Sequence, residues 1–268
     1  MELVQVGLQH GEDESGAVGV VTLNDSARRN ALSPQLVAEF IQALDELENN
    51  DEVKVIVITG TAPVFCAGAD LGKLAAEQSG PRETDADKEK GLRSIYAAFL
   101  KVSNCSVPTI AAINGPVVGA GMNLALACDV RLCARSARFE ARFLDLGLHP
   151  GGGQTFLLQR AVGVESANAM ILFGERLSGE EAERRGLVWR CVDDEKLLDE
   201  ALTLAMRRVS SPKDLLTTTK STLAKTLTMD RHENAVDAEL VPQMWSMGEP
   251  FFAQRLAELR ASVSSKKS

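Results

Sequence analysis

Apolar and polar positions follow two rhythms along this chain, and the second takes over in its last third. Residues 18–23 (VGVVTL) read as a β-strand, and a weaker apolar run over residues 3–8 predicts a hairpin with it. Residues 24–30 form a turn carrying two arginines. Ser33-Pro34 then opens a helix, a capping serine followed by proline at the first helical position. Its apolar face, Leu36, Phe40, Ala43, Leu44 and Leu47, recurs by threes and fours. Residues 53–59 (VKVIVIT) predict a buried strand, and 65–71 a tight turn of small residues between strand and helix. Residues 77–90, polar and broken by Gly80-Pro81, predict a surface loop or lid. An amphipathic helix is expected over 92–102 and a strand over 109–113.

The next passage organises the rest. Between the strand at 109–113 and a helix-like run at 122–128 lies Asn114-Gly115-Pro116-Val117-Val118-Gly119-Ala120-Gly121. A strand, glycine turn and helix start leave backbone N–H groups unpaired and aimed forward, where an anion or a carbonyl gaining negative charge is stabilised. Further on, 130–134 reads as a strand, 137–143 as an extended segment, 147–153 as a glycine-rich loop and 156–162 as helix; helical patterns dominate 167–263, and 264–268 look frayed. Strands alternating with helices, followed by helices alone, predict an α/β core over 1–200 with a helical region over 201–268.

Composition narrows the function classes. At 268 residues and 45% hydrophobic content the chain can bury a sizeable core. Aromatics make up only 4%, too few for a base-stacking or sugar-binding platform, and a net charge of −8 argues against a nucleic-acid or anionic-membrane partner. No apolar run reaches bilayer length. The polar, acidic start is unlike a targeting segment. Five cysteines without C-x-x-C spacing and three histidines predict no metal site, and fit a reduced, cytoplasmic setting.

Several stretches together carry a resemblance. Leu23-Asn24 with Asn30-Ala31-Leu32-Ser33, then Phe65-Cys66-Ala67-Gly68-Ala69-Asp70-Leu71, then Asn114-Gly115 through Ala127-Cys128-Asp129 come first. The glycine loop at 147–153, Gly174-Glu175-Arg176-Leu177-Ser178 and the AERRGLV run at 182–188 follow in order. The chain resembles the enoyl-CoA hydratase/isomerase (crotonase) superfamily over nearly its whole length. That resemblance implies a spiral of ββα units, C-terminal helices that form a homotrimer or hexamer, and an acyl-CoA thioester ligand. Coenzyme A is then part of the substrate, with no separate cofactor. It implies that the thioester oxygen sits between the backbone N–H groups of Ala69 and Ala120. Ala67, Ala69, Asp70 and Leu71 would line the adenine and pantetheine path. Arg28 and Arg29 would meet the CoA phosphates, unless they simply belong to a solvated turn; Lys73 and Lys220 are lesser phosphate candidates.

The resemblance also shows what is missing. Family hydratases hold a water between two glutamates. The matching positions here are Asn123 and Phe143, the latter preceded by Arg142 where the family has proline. Asparagine can orient a water but has no protonation equilibrium near neutrality, and phenylalanine can do neither. Substitutes in the sequence are Glu140, Asp145, which shares strand parity with Phe143, and His149 in the glycine loop. A position further along, where other branches carry an acid, is Gly151, and Asp129 reads as structural. Three readings stay open: a hydratase-like enzyme using Asn123 as positioner, a non-catalytic acyl-CoA-binding protein, and a thioester decarboxylase or C–C lyase in which the leaving group itself generates the enolate.

Overall fold

A computed structural model of the chain describes residues 2–12, 15–70 and 84–265. Its main sheet has the order β1-β2-β3-β4-β6-β9, built from Val4–His10, Ala17–Leu23, Val53–Gly60, Thr109–Ile113, Val130–Ala134 and Arg190–Val192. β1 and β2 form the expected antiparallel hairpin, and every later pairing in this sheet is parallel. A parallel sheet buried on both faces needs apolar residues at every position, which is why VKVIVIT carries no polar alternation. Val55 and Val57 on β3 face one core with Ile110 and Ala112 on β4, while Ile56, Ile58, Ala111 and Ile113 face the other.

Helices cover both faces. On one lies α1 (Pro34–Asn49), capped by Ser33 and burying the six residues Leu36, Val37, Phe40, Ala43, Leu44 and Leu47. Beside it runs α2 (Asp85–Ser103), which buries Ile95, Ala98, Phe99 and Val102. α2 starts earlier than apolar periodicity alone indicates. Thr84 and Asp87 form a reciprocal capping box, so a polar turn read as loop is helical from Asp85. α3 (Ala120–Leu126) is short and buried throughout. α4 (Gln154–Leu172) is longer than the sequence indicated and kinks at Gly163, whose φ is 76°. After α5 (Gly179–Arg184), α6 (Leu197–Met206) closes the other face through Leu197, Ala201 and Ala205.

A second sheet, β5-β7-β8 (Val117–Val118, Arg138–Glu140, Leu177–Ser178), stands beside the site. The extended segment expected over 137–143 stops at Glu140. Arg142 takes a φ of 54° and Leu144–Leu146 turn into a 3-10 helix, so the strand parity between Phe143 and Asp145 does not exist.

Two compact units are present, residues 1–210 and 211–268. Residue 200 lies inside α6, and α6 packs on the main sheet, so the first unit closes at Ser210. The second holds α7 (Lys213–Thr226), α8 (His232–Gly248) and α9 (Pro250–Ser265). No described helix is long and apolar enough to cross a membrane.

Candidate active site

Two glycine turns meet at the centre of the first unit. One follows β3 and the other joins β5 to α3. Cys66 bridges Val117, and Leu32 bridges Ala69, which fixes the first turn between the start of α1 and the second sheet. Gly68, with φ of 94°, sits where the turns touch: a Cβ there would stand 2.6 Å from the Val118 carbonyl oxygen and 3.4 Å from the Ala120 nitrogen. Gly121 lies as tightly on Cys66, where a Cβ would approach the carbonyl oxygen to 2.4 Å and the sulfur to 2.9 Å. Burial pushes the Cys66 thiol up to about 12, so it is a packing group and not a nucleophile. Among the described residues neither the Ala69 nor the Ala120 N–H has a hydrogen-bond acceptor. Two free donors on touching turns are what an oxyanion site requires.

The turn at 24–30 joins them. Arg28 and Arg29 are exposed, the Arg29 carbonyl accepts the Ala67 N–H at 3.0 Å, and Arg28 lies 3.5 Å from the buried Asp25 carboxylate. Asn30 anchors this turn. Wholly buried at a φ of 55°, it donates to the carbonyls of Thr61, Val64 and Phe65 and accepts the Asp25 N–H at 2.9 Å. The sequence reading gave Asn30 no role of its own; a polar residue directly before Ala31-Leu32 is its only signal. Asp70 is half-buried, while Leu71 and Lys73 lie outside the described residues. Lys220 is on α7, in the second unit.

Asn123, one turn into α3, is 1% exposed. Its amide nitrogen donates to the carbonyls of Gly151 at 3.0 Å and Gly152 at 3.4 Å, which leaves Oδ1 buried with no partner. α2 packs on the same loop. A Cβ on Gly151 would stand 2.4 Å from the Tyr96 hydroxyl, and one on Gly152 2.6 Å from the Phe99 ring. Tyr96 and Phe99 are one helical turn apart, with ring centroids 5.5 Å from each other. Gln154, opening α4, is likewise buried with both amide atoms unpartnered. Tyr96 escaped the sequence reading, although it is the only tyrosine and stands on an apolar helix face where phenylalanine would pack equally well.

Phe143 lies against the Gly119 turn: its ring comes within 3.8 Å of a Cβ built on Gly119. The candidate acids and base are elsewhere. Glu140 backs the turn through its carbonyl, which accepts the Gly119 N–H at 3.0 Å, while its carboxylate is held by Arg142 and Arg176. Asp145 is exposed, with Oδ1 3.9 Å from a Cβ position on Gly174. His149 is exposed too, its Nδ1 2.7 Å from the Pro150 carbonyl oxygen. Asp129 accepts from the Thr109 N–H and hydroxyl. Among the described residues no group of His, Cys, Asp and Glu is placed to hold a metal ion.

Known proteins resemble this chain along most of its length. The family described as enoyl-CoA hydratase/isomerase matches residues 13–248. A Mycobacterium tuberculosis protein named probable enoyl-CoA hydratase EchA14 is 43% identical over 245 residues, covering 90% of this chain and 93% of that one. The 1,2-epoxyphenylacetyl-CoA isomerase of Escherichia coli is 35% identical over 196 residues, 73% of this chain and 74% of its own. Among solved structures, an enoyl-CoA hydratase from Bacillus anthracis superposes with a TM-score of 0.86 at 27% identity, covering 98% and 96% of the two chains.

Proposed function

Since the chain belongs to the enoyl-CoA hydratase/isomerase family, we propose that it binds an acyl-CoA thioester and stabilises the enolate form of its acyl group. The thioester oxygen is placed between the N–H groups of Ala69 and Ala120. The observation carrying this is the contact of the two turns at Gly68, with both donors unpaired. The CoA moiety runs past Ala67 and Asp70 toward Arg28 and Arg29, whose turn is joined to Ala67 by the Arg29 carbonyl. No cofactor beyond the coenzyme A of the substrate enters this reading. The helices α7 to α9 are assigned to assembly as a homotrimer or hexamer, supported by the apolar side chains they expose, and the setting is cytoplasmic.

The reaction lacks the family's glutamate pair, and Asn123 serves as a positioner. A second reading, loss of CO₂ or C–C cleavage, is favoured by the Phe143 ring against Gly119: an apolar wall suits departure of CO₂, and the breaking bond itself delivers the enolate electrons. The test is a panel of acyl-CoA thioesters assayed in deuterated water. Hydration of crotonyl-CoA, lost in Asp145→Asn or His149→Ala, assigns an acid–base role to one of those groups. Deuterium appearing at the α-carbon only from malonyl-type thioesters assigns decarboxylation. Binding without turnover leaves a carrier or sensor of acyl-CoA.

Ala120→Pro probes the hole itself. Proline is tolerated at the first position of a helix, and its ring carbon takes the place of the N–H in question. Turnover is expected to fall by at least about 10²–10³; unchanged turnover overturns the oxyanion assignment.

A further inference from the structure

Resting on the acyl-CoA reading above, we propose that Tyr96 is the proton-carrying catalytic residue of this site. An enolate held at Ala69 and Ala120 must gain a proton at carbon, or its precursor lose one, and neither Asn123 nor Phe143 can carry it. The other candidates near the turns are occupied or turned away. Glu140 is tied to Arg142 and Arg176, Asp145 stands toward Gly174, His149 closes on the Pro150 carbonyl, and Cys66 is sealed under Gly121.

Tyr96 differs from all of them. Its hydroxyl rests on the Cα of Gly151, the residue whose carbonyl Asn123 grips, and among the described residues it has no hydrogen-bond partner. Its ring is fixed against Phe99, which itself packs on Gly152. Asn123 lies one turn after Ala120, so the two share a face of α3, and side chains on a helix lean toward its N-terminus. The Oδ1 of Asn123 is buried and unpartnered, and Asn123 and Tyr96 both meet Gly151. One fixed acceptor and one mobile proton thus come together at Gly151.

The step is a simple exchange. The Tyr96 O–H bond breaks as the enolate electron pair forms a C–H bond at the α-carbon, and the thioester carbonyl is restored at the two N–H donors. The phenolate then takes a proton from solvent water.

Tyr96→Phe keeps the ring and deletes only the hydroxyl. Exchange of α-hydrogen for deuterium in bound acyl-CoA is expected to fall by about 10²–10⁴ with the thioester dissociation constant unchanged. Because the chain has one tyrosine, fluorotyrosine labelling places a single fluorine probe in the protein, and its NMR signal is expected to shift when a thioester binds. Exchange retained within a few-fold in Tyr96→Phe overturns the proposal and leaves the acyl-CoA reading intact. So does a wild-type protein that binds thioesters but exchanges no α-hydrogen. A protein that binds no thioester overturns both.

Discussion

Asn123 holds a loop in place from inside the fold. Its amide donates to two loop carbonyls, which an ionised carboxylate in its place would not do. In Asn123→Asp a carboxyl would be buried against the carbonyl oxygens of Gly151 and Gly152, where burial and those dipoles disfavour ionisation. Its folded pKa is expected above the unfolded value near 4. The variant should then be most stable in acid, where the protonated carboxyl can still donate to Gly151, and lose stability relative to wild type as pH rises through that range. Urea denaturation of both proteins across pH measures this; a constant difference would refute it. The sequence made the substitution at 123 legible, because the spacing from Ala120 is fixed by one helical turn. It could not reveal that the side chain grips Gly151, a contact made across the fold. Tyr96 was hidden for the same reason: its hydroxyl acquires meaning only once α2 is laid on the glycine loop.

Between elements, packing is fixed by a few polar staples as much as by the apolar faces. Glu48, near the end of α1, accepts hydrogen bonds from Lys101 on α2 and from the N–H and hydroxyl of Ser106, and Lys101 also reaches Asp45. Desolvation alone would raise the Glu48 carboxyl, but Lys101 and Ser106 together hold it below its usual range. A depressed carboxylate adds stability above its unfolded pKa and loses it as pH falls through the folded one. Glu48→Gln is expected to cost about 2 kcal/mol near neutral pH, the scale of a hydrogen bond to a charged group. The gap should narrow in acid, and denaturation midpoints against pH check it. The main strands and α1 were readable because local pattern and burial agree there. Element ends were not: α2 begins with a polar capping box, α4 runs through Gly163, and β7 stops at Glu140 when Arg142 turns the chain.

For the whole molecule, the α/β order followed by helices was legible from the change of rhythm alone. What the last helices do was not, since several of their apolar side chains stay exposed. α7 and α8 contain no buried residue, and Leu227 and Val241 are 76% and 73% exposed. Apolar surface of this kind marks an association face. Leu227→Glu combined with Val241→Glu is expected to lower the assembly state in sedimentation velocity with the fold of residues 1–210 retained by circular dichroism. An unchanged sedimentation coefficient would remove these helices from the interface. The meeting of the two turns at Gly68 has a consequence at this scale too. Its donors come from segments far apart in sequence and exist as a pair only in the completed fold. Any ligand held by both therefore binds the native state and not the unfolded chain, and its binding free energy adds to folding stability by mass action. On the acyl-CoA reading, thioester binding is expected to raise the denaturation midpoint of the whole first unit, which thermal melts with and without the thioester measure.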